Sequence, residues 1–207
     1  MGHLQRRVRS ALPLALVLAL TAAPAASAAR VAPRQAPGRW CGGALWRQMV
    51  LSDSDAGKVD LQPATTTIAA IAKLTPPHRI WTERTTPFQR QAWHVHAVID
   101  RYRIASNGEI ALVLFSIESG TYMNAYLPNP RCLSAKTRAR ASIVAARQEL
   151  TRRCPAATTA WQLLGISTEV TGIGFWNRVR TSRGALPNGA ELRPVIDLKI
   201  DSGCGVS

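Results

Sequence analysis

Acidic residues are in short supply. The 207-residue chain carries 12 Asp and Glu against 26 Lys and Arg, a formal charge of +14 at neutral pH. Lysine is scarce within that basic set, at Lys58, Lys73, Lys136 and Lys199, so the charge is mostly arginine. Beyond the N-terminal segment there is no dense basic run. The charge therefore reads either as a solvated surface or as attraction to an anionic polymer. C-x-x-C pairs are missing, which excludes a zinc knuckle and a dithiol redox motif. Histidine is sparse: after residue 28 only His78, His94 and His96 remain. His94-x-His96 places two imidazoles on one face of a strand but has no third ligand nearby in sequence, so no metal site is assigned. Asp53-Ser54-Asp55-Ala56-Gly57 lacks the glycine position and terminal glutamate of an EF-hand, and reads as an acidic turn with an Asx cap. G-x-S-x-G, H-E-x-x-H and Walker sequences are absent. No catalytic residue and no cofactor is assigned. Long apolar runs are also missing after the first, so no membrane span is expected.

The first 28 residues supply what an exported protein needs. Arg6, Arg7 and Arg9 form a charged start, Leu12 to Ala23 is a short apolar run, and Ala26-Ser27-Ala28 is a small-x-small cleavage site. That order is a secretory signal. Its removal takes three arginines and lowers the formal charge from +14 to +11. The protein is expected to be secreted, extracellular or in the cell envelope. Residues 29–39, rich in Pro, Arg and Ala, read as a flexible arm, and 40–207 as one domain. Four cysteines in an oxidising compartment give two disulfides, with three connectivities open. Spacing favours Cys132–Cys154, bracketing one helix, and Cys41–Cys204, joining the start of the domain to its end.

Thr65-Thr66-Thr67 precede Ile68, Ile71 and Leu74 at helical spacing, a short capped helix stopped by Pro76-Pro77. From Trp93 the period changes to two, so 93–104 reads as a strand, with Val95, Ala97 and Ile99 inward. Ser106-Asn107-Gly108 turns the chain into a second strand over 109–117, and Tyr122 to Leu127 is a third. Ala139, Ile143, Ala146, Leu150 and Cys154 then form one helical face, with Ser134 as the expected cap. Glu169 to Trp176 is a fourth strand, where Gly172 and Gly174 mark a bend or close backbone contact. Glu191 to Asp201 is a fifth, with Leu192, Ile196, Leu198 and Ile200 inward. Three strands, a helix and two strands give a mainly β fold with one or two helices. The expected architecture is an OB-like five-stranded barrel with the helix between strands three and four.

Residues 170–195 read VTGIGFWNRVRTSRGALPNGAELRPV. This resembles a family of small exported bacterial proteins whose C-terminal signature runs V-x-G-V-G-F-F-D, then H-G-Q-T-G-x-A-P-N-G, then I-E-L-H-P-V. Asp53-x-Asp55-Ala56, Thr65-Thr66-Thr67-Ile68, Arg79 and Glu83 extend the likeness over most of the chain. The resemblance implies a fold and export rather than an activity. The chain departs from the signature at Asn177 (Asp in the pattern), at Arg180 and Arg193 (both His), and at Glu109-Ile110-Ala111-Leu112 (Asp-Tyr-His-Leu). Arginine cannot replace a neutral imidazole as ligand or base, because its guanidinium stays protonated. Those departures favour binding over catalysis.

The functional expectation is a non-enzymatic binding module for a polar or anionic ligand, an anionic polymer or a cell-envelope component. Its edge would be the loop bearing Arg178, Arg180, Arg183 and Arg193, with Trp176 beside it as a stacking ring. The alternative is a secreted nuclease or phosphodiesterase of barrel-nuclease type, using Asp100, Glu109 or Glu118 with arginines.

Overall fold

The computed structural model describes Gly2, residues 41–202 and Cys204. The segments read as signal sequence and arm, together with Trp40, lie outside the described residues, Gly2 apart. The fold is mainly β, a six-stranded mixed sheet with strands β1 (Asp60–Thr65), β2 (Gln91–Ile104), β3 (Ile110–Phe115), β4 (Tyr122–Leu127), β5 (Gln162–Trp176) and β6 (Ala190–Ile200). Helices α1 (Trp46–Met49) and α2 (Ile68–Ala72) are short, and α3 (Arg140–Arg153) is longer.

β2 is the spine. It pairs antiparallel with β3, and β3 with β4. β4 runs parallel to β6 at Asn124–Ala125, β6 pairs antiparallel with β5, and β5 pairs back onto β2. The alternation expected along β2 holds as far as Ile99, with Val95, Ala97 and Ile99 buried. A register shift then falls between Ile99 and Arg101. The bulge reverses the phase, so Tyr102 enters the core at 1% exposure while Arg103 stays outside. Without it Arg101 and Arg103 would point into an apolar interior, which an unpaired charge cannot tolerate. The Tyr102 hydroxyl donates to the Pro155 carbonyl at 2.8 Å.

Five strands were expected, and six are present among the described residues. β1 escapes the period-two pattern because it is largely exposed and contains Pro63, which only an edge strand accepts readily. It lies parallel to β2. β5 also begins earlier than its apolar run, at Gln162. The close approach expected at the glycines is present: a Cβ on Gly174 would collide with the Phe88 carbonyl, and one on Gly172 with Leu192.

The inward face of β6 differs from simple alternation. Register shifts lie between Thr171 and Gly172 and between Gly172 and Gly174. Val195, not Ile196, joins Leu192, Leu198 and Ile200 in the main core. Ile196 turns to a second cluster with Val50, Leu51, Ala92, Ile143 and Ile173. β6 is thus covered on both faces over 190–196, because α3 packs across its outer side.

Both expected disulfide pairings are overturned. Cys41 bonds to Cys132 and Cys154 to Cys204, with Cα separations of 5.4 and 4.8 Å. The reason is geometric. A 14-residue helix holds its ends about 21 Å apart, far beyond disulfide reach. The chain before α3 does not return to its far end. It is tied instead to the N-terminal segment, where Arg138 N–H donates to the Leu51 carbonyl at 2.9 Å and its guanidinium to the Ala56 and Val59 carbonyls. That docking carries Cys132 to Cys41. Ser134 also does not cap α3. Its Oγ accepts from Lys136 N–H in a preceding turn, and the cap position is Ala139, at φ 54°. Thr67 caps α2 as expected, accepting from Ala70 N–H at 3.1 Å.

Candidate functional site

The loop joining β2 to β3 fixes the first functional side chain. Asn107 makes an Asx turn, its Oδ1 accepting from Glu109 N–H at 3.1 Å, and its amide donates to the Glu109 carboxylate at 2.6 Å. Gly108, at φ +77°, is needed there, since a Cβ would strike the Asn129 amide. Glu109 is thereby held buried, and it receives two donors from the Arg193 guanidinium, Nε at 3.3 Å and Nη2. The same guanidinium lies 4.2 Å from the Tyr126 ring centroid and 3.8 Å from the Glu191 carboxylate.

The loop from 177 to 189 supplies the second set. Asn188 holds it, donating to the Ile71 and Leu74 carbonyls while accepting from Ala190 N–H. Gly184, at φ +77°, packs against Asn124 so closely that a Cβ would collide with its amide oxygen. Anchored at both points, the loop brings Arg180 and Arg183 over the end of the sheet.

Between these loops lies a cavity of about 610 Å³. Among the described residues, Arg103, Arg180, Arg183 and Arg193 line it with one carboxylate, Glu109. Trp46, Trp161 and Tyr126 line it as well, and the Arg103 guanidinium sits 4.7 Å from the Trp161 ring centroid. Arg193 is neutralised locally by Glu109. Arg183 is exposed, 3.6 Å from Asp100, which is also paired at 2.7 Å with Arg101. Arg180 is exposed, and its charge offsets in small part the burial that raises the pKa of both Glu191 and Tyr126.

The structure thus brings together three of the four arginines expected to form the binding edge. Arg178 is exposed but does not line the cavity. Trp176 is not a free ring. It is 1% exposed, packs 4.8 Å from Phe88 and donates from Nε1 to Thr86 Oγ1 at 2.8 Å. Arg103, Trp46, Trp161 and Tyr126 were not singled out from sequence. The arginine and the three rings come from four separate segments, and nothing short of the fold places them together.

The histidine pair lies apart from this cavity. His94 Nδ1 lies 3.1 Å from Thr171 Oγ1, and His96 Nε2 lies 3.0 Å from Ser167 Oγ. Ser167 donates to Asp201 at 2.7 Å. The residue types are those of a catalytic triad, but serine stands between histidine and carboxylate, so the carboxylate does not orient the imidazole. Among the described residues no three His, Cys, Asp or Glu side chains lie together as a metal site.

No protein-family model matches this chain, and no curated protein matches it. Among solved structures it is similar to the Entamoeba histolytica asparaginyl-tRNA synthetase in complex with asparaginyl-adenylate. The identity is 14% and the TM-score 0.38, over 70% of this chain and 25% of that one. The chain therefore spans about a quarter of that synthetase.

Glu191 is the unusual group beside the cavity. Its Oε1 accepts from the Asn177 amide at 3.1 Å, whereas its buried Oε2 has no hydrogen-bond partner among the described residues. Burial raises its pKa above 4.5, and Arg193 opposes this only in part. Tyr126 is raised too, first by burial and then by the Glu191 charge. For Glu191 the native state holds its proton more tightly than the unfolded chain. Between the two pKa values stability therefore falls as pH rises, and the penalty is complete above the native one. Glu191→Gln should raise the melting temperature near neutral pH and flatten its pH dependence on the acid side. Melting curves from pH 4 to 8 check this. A variant less stable at neutral pH with unchanged slope would show that the carboxylate is charged and needed.

Proposed function

We propose that this protein is an exported, disulfide-bonded binding module for an anionic ligand, built on an OB-like barrel. The ring of pairings β2–β3–β4–β6–β5–β2 supports the barrel, and α3 falls between its third and fourth strands. β1 is an addition at one side. The signal-like start and the two disulfides support export. Among the described residues no helix is long and apolar enough to cross a membrane.

One observation carries the reading: among the described residues, four guanidiniums and a single carboxylate line one cavity. That cavity lies between the loop following the first barrel strand and the loop joining the fourth to the fifth. OB barrels bind oligonucleotides and oligosaccharides with those loops. The positions at which the chain departs from the resembled signature also collect here. Glu109, Ala111, Arg180 and Arg193 line the cavity, and Asn177 bonds Glu191 beside it. Replacing histidines with permanent cations suits capture of an anion better than proton transfer.

Replacing Arg103, Arg180 and Arg183 together with alanine should weaken binding of inorganic polyphosphate. The salt dependence should flatten by about two in log–log slope, because up to three counterion-releasing contacts disappear. All three side chains are exposed, so the melting temperature should hardly move. Arg178→Ala should bind as the parent does. Unchanged affinity in the triple variant would remove the site. Metal-dependent cleavage of supercoiled DNA or RNA, lost in Glu109→Gln, would replace binding with hydrolysis.

A further inference from the structure

The cavity has a second property that charge alone does not explain. Its arginines are interleaved with rings, and two of them sit over one: Arg103 over Trp161, 4.7 Å from the ring centroid, and Arg193 over Tyr126 at 4.2 Å. Trp46 adds a third ring to the wall. A polyanion without planar groups, such as polyphosphate or teichoic acid, gains nothing from such a surface. Anionic glycans do stack on bare aromatic faces, but through C–H groups that carry partial positive charge. A guanidinium laid over the ring repels that face. A nucleobase stacks equally on an aromatic ring and on a guanidinium plane. Ser182 lines the same cavity and is exposed, so its hydroxyl can meet a base edge. The rings are half-buried in the cavity wall, and a base must leave its pair and its stack to lie against them.

We infer that the ligand of this cavity is single-stranded nucleic acid, with a base entering between Trp161 and Tyr126 and its phosphates held by Arg180 and Arg183. This rests on the anion-binding reading above and narrows it.

The test is an anisotropy titration of the protein with both disulfides formed, against four probes. They are a single-stranded oligonucleotide of about 12 residues, an abasic oligomer of the same length and charge, the same sequence as a duplex, and a sulfated glycan. The base-bearing single strand should bind at least about tenfold tighter than each of the others. Trp161→Ala should remove that preference while leaving abasic affinity in place, and Trp161→Phe should restore part of it. Melting curves confirm that both variants fold. Equal affinity for base-bearing and abasic strands would overturn the ring inference while anion binding stands. Tighter binding of duplex or glycan would overturn it as well. Failure of all four probes and of polyphosphate to bind would take down both readings together.

Discussion

Arg84→Ala should lower the unfolding free energy by about 3–5 kcal/mol, the cost of breaking a buried charge pair by removing one partner. Arg84 is 0% exposed. Its Nε and Nη2 grip Asp53 at 3.1 and 2.8 Å. Two further donors reach the Gln48 and Gln89 carbonyls, each at 3.0 Å. Its backbone N–H donates to Asp55 at 3.0 Å. One guanidinium thus ties the turn at 53–55, the end of α1 and the entry to β2. Alanine would leave Asp53 buried without a counter-charge and two carbonyls without donors. Arg84→Lys should also be costly, because an ammonium cannot reproduce the planar fork. Arg84→Met combined with Asp53→Leu should recover part of the loss, since two apolar groups leave no stranded charge. Urea denaturation of the three variants decides this. A loss below about 1 kcal/mol in Arg84→Ala would mean that water reaches the site.

Removing the Cys41–Cys132 bond should be comparably damaging. It closes a separation of 91 residues, worth about 4–5 kcal/mol on the chain-entropy model. The Cys154–Cys204 bond closes 50 residues and is worth about 4 kcal/mol on the same model. Replacing Cys41 and Cys132 together with serine should therefore shift the urea midpoint slightly more than replacing Cys154 and Cys204. The first pair has a further consequence, because Gly42, Trp46 and Met49 line the cavity directly after Cys41. Its loss should weaken ligand binding, whereas loss of the second should leave affinity near the parent value. Non-reducing peptide mapping of the intact protein should recover these two linkages. A Cys132–Cys154 peptide would refute the connectivity and the docking of the segment before α3.

Much of the architecture was legible because its signals are local. Val95, Ala97 and Ile99 alternate, so β2 announces itself. Tyr122 to Leu127 is bounded by turn residues on both sides, and β4 has those limits. Ile143, Ala146 and Leu150 lie one turn apart, and α3 buries that face. The errors share another cause. Pro63 hid β1 because an edge strand needs no apolar pattern. Val195 and Ile196 exchanged faces because a register shift lies opposite them at Gly172, and a bulge depends on the partner strand.

For the site, sequence supplied Arg180, Arg183 and Arg193 through the charge of one loop. It misjudged Trp176, whose ring is spent on Phe88 and Thr86. It could not join Trp46, Arg103, Tyr126 and Trp161, since no spacing relates them. The sequence alone determined the order of β2 to β6 with α2 and α3, the basic character and the even cysteine count. Disulfide partners, the phase of β6, the burial of Glu191 and the convergence of rings and guanidiniums were decided by the tertiary structure. These depend on distances between residues far apart in the chain, fixed only when the sheet curls and α3 docks on β6.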